Sequence, residues 1–134
     1  MLHEGIRLLV VLTGCTIALS CGPRVVDGKG EQLRDHTERF VRAAVAQDTV
    51  AIQQLAVSDP SLLNRLKHWW SNEPGLLAAA QGKLKPRAVA DKGADTLYGE
   101  LEFPYKGRSE ALAVGFVRTG STWRLYFIGL PDRL

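Results

Sequence analysis

The chain has 134 residues, 46% of them hydrophobic and 23% charged. That length fits one domain, and that composition excludes collagen-like and disordered classes. The 17 basic and 14 acidic side chains leave a net charge of +3, with no run of five or more basic residues, so the sequence carries no nucleic-acid footprint.

The first twenty residues differ from the rest. Arg7 ends a short polar start, and Leu8 to Leu19 then runs without a charge. A basic start, an apolar run of about 7–15 residues and a small residue at the cut describe a secretory signal. The run is too short for a membrane span, which needs about 17–25 residues. Both cysteines, Cys15 and Cys21, lie in this region. The segment Ile17-Ala18-Leu19-Ser20-Cys21 resembles the bacterial lipobox, whose cysteine receives a diacylglycerol and becomes the new N-terminus. Leu12-Thr13-Gly14-Cys15 is a second match, but it leaves apolar Thr16 to Leu19 trailing the lipid where a polar tether is usual. The expectation is therefore a signal peptide over 1–20 and lipidation at Cys21, with Cys15 the competing site. The mature chain then has no disulfide and no thiol site.

Residues 21–30 read as a flexible tether, because Gly22, Pro23, Gly28 and Gly30 break any regular element. The domain proper is expected over 31–134. Glu31 to Gln47 predicts a helix, with Leu33, Phe40, Val41, Ala44 and Val45 at helical spacing. Asp48 is the expected cap of a second helix, Thr49 to Val57. Asp59-Pro60 opens a third, since a capping carboxylate followed by proline suits a first turn. That helix carries Leu62, Leu63, Leu66, Trp69 and Trp70 and breaks at Ser71 to Gly75. A short turn of helix from Leu76 to Gln81 ends at Gly82.

From Lys83 the period changes to two. Four strands are expected: 83–91, 96–105, 109–118 and 122–130. In the second, Leu97, Leu101 and Phe103 share one face, and Tyr98, Glu100 and Glu102 the other. Leu112, Val114 and Phe116 share a face of the third. In the fourth, Trp123, Leu125 and Phe127 alternate with Arg124, Tyr126 and Ile128. Short glycine-bearing links suit antiparallel hairpins. Pro104 must sit at an edge or a bulge. Helices first and an antiparallel sheet second make an α+β fold.

This order, with Ala46-Gln47-Asp48, the Ser58-Asp59-Pro60 turn and the closing Gly120-Ser121-Thr122-Trp123-Arg124-Leu125-Tyr126-Phe127-Ile128, resembles the NTF2-like superfamily (the cystatin-like α+β cone). It is most similar to small domains of unknown function in bacterial lipoproteins. The resemblance covers about 31–130 and implies helices packed on a curved four-stranded sheet, with Trp123 at the mouth of a cone.

The candidate chemistry is sparse. No phosphate loop, Ser-His-Asp set or metal-ligand spacing appears, and no cofactor is expected. His36 borders the apolar stripe of the first helix, one turn before Phe40. Asp35 is its neighbour in sequence but points about 100° away, so the two form no dyad. His68 precedes Trp69-Trp70, which either bury or form an aromatic docking patch. Trp70, Tyr98, Tyr105 and Tyr126 are candidates for a pocket mouth, with Trp123. Glu100 and Glu102 read as a solvated strand face, and Lys83, Lys85 and Arg87 as a solvated edge. The function expected is that of a lipid-anchored envelope protein, facing the periplasm from the outer membrane, that binds a small apolar ligand or an envelope protein without catalysis. An NTF2-like enzyme using His36 as its base is the alternative.

Overall fold

A computed structural model of the chain describes residues 28–91 and 93–133. The expected signal peptide, Cys15, Cys21 and most of the expected tether lie outside the described residues. Helix α1 spans Lys29–Val45, so Lys29 and Gly30, expected in the tether, already belong to it. Its buried residues, Leu33, Thr37, Phe40, Val41 and Ala44, recur at three and four, the stripe that turns one helix face to a core. Thr37 is fully buried and its hydroxyl donates to the Leu33 carbonyl at 2.7 Å.

Asp48 joins two helices. Its N–H donates to the Ala43 carbonyl and that of Gln47 to Ala44, both at 3.0 Å, with Gln47 at φ 52°. This is a Schellman closure, with glutamine in the left-handed position that glycine usually takes. The Asp48 carboxylate then accepts from the Ala51 N–H at 3.1 Å and caps α2, Thr49–Leu55. That helix stops two residues short of the expected Val57. Ala56 forms a parallel bridge with Leu125, and the Val57 N–H donates to the Leu125 carbonyl at 2.9 Å. The pull of a sheet edge with unpaired backbone groups ends the helix. Asp59 caps α3, Pro60–Asn72, through the Ser61 N–H at 3.0 Å. A short α4, Leu76–Ala80, follows.

Strands β1 (Lys85–Asp91), β2 (Thr96–Tyr105), β3 (Arg108–Thr119) and β4 (Thr122–Gly129) form one antiparallel sheet in chain order, and a 3-10 turn, Pro131–Arg133, ends the described chain. The fold is therefore α+β, four helices and a four-stranded antiparallel meander. Lys106 and Gly107 both have positive φ, 51° and 77°, the requirement of a tight two-residue hairpin. Pro104 pairs with Ser109 on the β3 side, while β1 begins at Lys85 opposite Glu102. At Pro104, β2 is thus locally an edge, where a missing N–H costs nothing.

The helices cover one sheet face: α1 packs on β1 and β2, α4 on β2, and α2 and α3 on β4. The core between the layers includes Leu33, Phe40, Leu66, Leu101, Leu112 and Leu125, each at most 1% exposed. The fourth strand departs from its expected alternation. A bulge between Gly115 and Phe116 pairs Phe116 with Leu125 but Gly115 with Phe127, so Tyr126 is an extra residue. One inserted residue reverses the phase that follows. Ile128, expected outward, is fully buried, and Phe127 joins Tyr126 on the far face. Strand β3 is buried on both faces. Ala111 and Ala113, on the side away from the helices, are 1% and 4% exposed.

Candidate functional site

A concavity that brings together chemistry-bearing side chains lies where α1, the end of α2 and the β3–β4 hairpin meet. Its volume is about 350 Å³, near the lower end of small-molecule sites, about 300–1,000 Å³. Helix α1 contributes His36 and, one turn on, Arg39. Helix α2 contributes Gln54 and Leu55, and the sheet contributes Phe116 and the run Ser121-Thr122-Trp123.

His36 is held there by its register. It lies three residues after Leu33 and four before Phe40, so it flanks the buried stripe and meets the sheet. Its ring centroid is 5.4 Å from that of Phe116 and 5.6 Å from that of Trp123. Nε2 is buried and has no hydrogen-bond partner among the described residues. Burial, and then the Arg39 guanidinium, hold the imidazole below its ordinary pKa of 6.5, with Asp35 opposing them. The ring is therefore neutral at pH 7.

Among the described residues Arg39 is the only formally charged one lining the cleft, and no carboxylate lines it. The nearby acids are engaged elsewhere. Asp35 lies by Arg34, and Glu38 accepts from the Gly82 N–H at 2.9 and 3.1 Å. On the hairpin, Arg118 stands over the Trp123 ring at 5.5 Å and is fixed by Asp95 at 2.8 and 3.1 Å. The cleft thus offers a guanidinium, an amide, two hydroxyls and an aromatic wall. It can orient a small polar molecule with one flat face.

The aromatic candidates do not gather at one mouth. Trp123 lines the cleft. Trp69 is buried in the core, and the half-buried Trp70 donates its indole N–H to the Ala44 carbonyl at 3.0 Å, satisfying the end of α1. The gap beside them is about 60 Å³, so the pair forms a helix junction rather than an open patch. Tyr98 and Tyr126 lie on the sheet face away from the helices. Tyr98 sits opposite Gly115 with its ring 6.1 Å from Phe127, and the Tyr126 ring covers Gly115. Burial, then Tyr98, push the Tyr126 phenol above its usual 10.0. Tyr105 packs on Phe103 at the far hairpin. His68 is exposed, its Nδ1 3.1 Å from the Asn72 amide. Glu100 pairs with Arg87 at 3.0 Å.

Sequence reasoning missed Arg39, Gln54, Leu55, Phe116, Ser121 and Thr122 as site residues. Arg39 was readable as the residue one turn beyond His36 on the same flank. The others come from separate elements, and only the packing of α2 against the hairpin joins them. A second gap, about 430 Å³, lies between α2 and α3 and is lined mainly by Ile52, Ala56, Val57, Pro60, Leu62 and Leu63. Among the described residues no group of His, Cys, Asp and Glu is placed to hold a metal ion, and no helix is long and apolar enough to cross a membrane. No family model matches the chain, and no curated protein or solved structure does.

Proposed function

We propose that this chain is a membrane-anchored lipoprotein of the bacterial cell envelope whose folded domain binds a small ligand without transforming it. In this reading residues 1–20 are removed on export and Cys21 carries the lipid, holding the domain on the periplasmic side of the outer membrane. The domain is an NTF2-like cone, and the cleft between α1 and the last hairpin is its binding site.

The cleft is the observation that carries the binding reading. Buried polar atoms in folded proteins are nearly always satisfied. An enclosed imidazole nitrogen with no partner among the described residues is costly for a site with no occupant. The enzyme alternative has less support. A general base is usually oriented by a second group on its far nitrogen, and among the described residues no acid lines the cleft for that role.

The test is native mass spectrometry of the full chain released from bacterial membranes in mild detergent. The expected spectrum shows a non-covalent small-molecule adduct on the wild type. A Ser121→Trp variant, which fills the cleft from an exposed turn, loses that adduct and keeps its circular dichroism spectrum. A wild type that emerges bare, or an adduct retained by the folded variant, removes the cleft from the account.

A further inference from the structure

We infer that the cleft's ligand is a small anion, with a carboxylate or phosphate seated beside Arg39 and a flat apolar portion against Trp123. This rests on reading the cleft as the binding site, and it adds the chemical class of what is bound.

The charges point one way. Arg39 lines the cleft, and among the described residues no carboxylate lies within ion-pair distance of it. The second cation near the cleft, Arg118, is neutralised by Asp95. A cationic ligand would face Arg39 with no counter-charge. An anion would supply the missing partner in a planar, two-point contact that guanidinium forms best with carboxylate and phosphate.

The neutral groups agree. The hydroxyls of Ser121 and Thr122 and the amide of Gln54 line the same space and hold no hydrogen bond within the described chain. Hydroxyl and amide donors beside a guanidinium make a set that an oxyanion can satisfy with several bonds at once. Leu55, Phe116 and Trp123 give the remaining wall an apolar, mostly aromatic surface. At about 350 Å³ the space suits a single-ring acid or a lipid headgroup.

Two sources supply that chemistry. His36 lies two turns along α1 from Lys29, about 10 Å, and the stretch from Cys21 to Gly28 spans at most about 25 Å when fully extended. With the lipid at Cys21, the cleft stays within reach of phospholipid headgroups. A soluble aromatic acid or phosphate is the other source.

The test uses full-length chain in detergent micelles with its three tryptophans labelled with ¹⁵N, so that each indole N–H reports separately. The probes are benzoate, phenyl phosphate and, as a neutral counterpart, benzyl alcohol. Benzoate and phenyl phosphate should shift the Trp123 signal saturably and leave Trp69 and Trp70 in place, with benzyl alcohol at least about tenfold weaker, the worth of a charge-assisted contact. Arg39→Gln should weaken both anions by about tenfold and leave benzyl alcohol unchanged. Arg39→Lys should retain part of that affinity, and thermal unfolding confirms that each variant is folded. Displacement of benzoate by dihexanoyl phosphatidylglycerol, added below its micellar concentration, identifies a lipid headgroup as the source. Benzoate binding without that displacement identifies a soluble acid. Equal affinity for benzyl alcohol and benzoate, or an Arg39→Gln variant that binds benzoate as well as the wild type, overturns the anionic class and leaves the cleft as a site. Failure of both anions to shift Trp123 also overturns it, and the adduct experiment then judges the cleft alone.

Discussion

Replacing His36 by leucine should change how stability depends on pH more than how large it is. At pH 7.5 two effects oppose each other. The variant removes a buried nitrogen that has no partner, a relief of about 1–3 kcal/mol for a fully enclosed atom and less for this half-buried ring. It also removes ring contacts with Phe116 and Trp123, worth about 0.5–1.5 kcal/mol each for aromatic pairs. The net change at pH 7.5 should stay within about 1 kcal/mol.

The slope with pH is more telling. The folded imidazole has a pKa below its ordinary 6.5, so the unfolded chain takes up the proton first. Stability from the neutral ring is complete above 6.5, falls as the pH drops below it, and levels off only below the folded-state value. One proton limits that slope to about 1.4 kcal/mol per pH unit. The charged groups around the ring are Asp35 and Arg39 on its own helix and Arg118 on the hairpin, while α2 presents only Gln54 and Leu55. Urea unfolding followed by circular dichroism from pH 7.5 to 5.5 gives both curves, and titrations common to the two proteins cancel in their difference. The wild type should lose ground to His36→Leu as the pH falls. A difference that is constant, or that grows in favour of the wild type at low pH, refutes the neutral, enclosed imidazole.

Substitutions at four further positions probe the frame around the cleft. At Gly99 an added Cβ would sit 2.3 Å from the Ala88 carbonyl oxygen and 2.8 Å from Leu33 Cδ2, whereas at Gly115 it would meet only the Tyr126 ring, at 2.6 to 2.8 Å. A strand backbone cannot yield as a half-exposed side chain can, so Gly99→Ala should cost about 3 kcal/mol or more and Gly115→Ala about 1 kcal/mol; equal losses in urea melts would contradict this. Trp70→Phe removes the donor to the Ala44 carbonyl and should cost about 1 kcal/mol, read as a lower thermal midpoint with an unchanged far-ultraviolet spectrum. Asp59→Ala deletes the cap of α3 and should cost about 1 kcal/mol, recovered largely by Asp59→Ser.

Local chemistry made most of the fold legible. Asp48 and Asp59-Pro60 start helices in the sequence and in the structure because capping is decided within three residues. Lys106-Gly107 and Gly120-Ser121 mark hairpins for the same reason, since only a few residues tolerate positive φ. What stayed illegible depends on partners far away in the chain. The β4 bulge answers the register of β3, and the early end of α2 answers the unpaired edge at Leu125. The candidate site divides the same way. His36 and Trp123 stand out by residue type, and the contact between them was not readable from a helix and a hairpin so far apart in sequence. Tyr98 and Tyr126 are aromatic like Trp123, yet strand alternation and the bulge send them to the opposite face. Arg39 has the type of a solvated helix residue and is exposed, and only its place one turn beyond His36 ties it to the cleft.

Intact-mass spectrometry of the chain, denatured after extraction from bacterial membranes, addresses the anchor on which the proposed role depends. The expected species begins at Cys21 and carries the added mass of a diacylglycerol on its thiol. A species that retains Met1 with both cysteines unmodified, or one cut at another residue and bearing no lipid, would contradict the account.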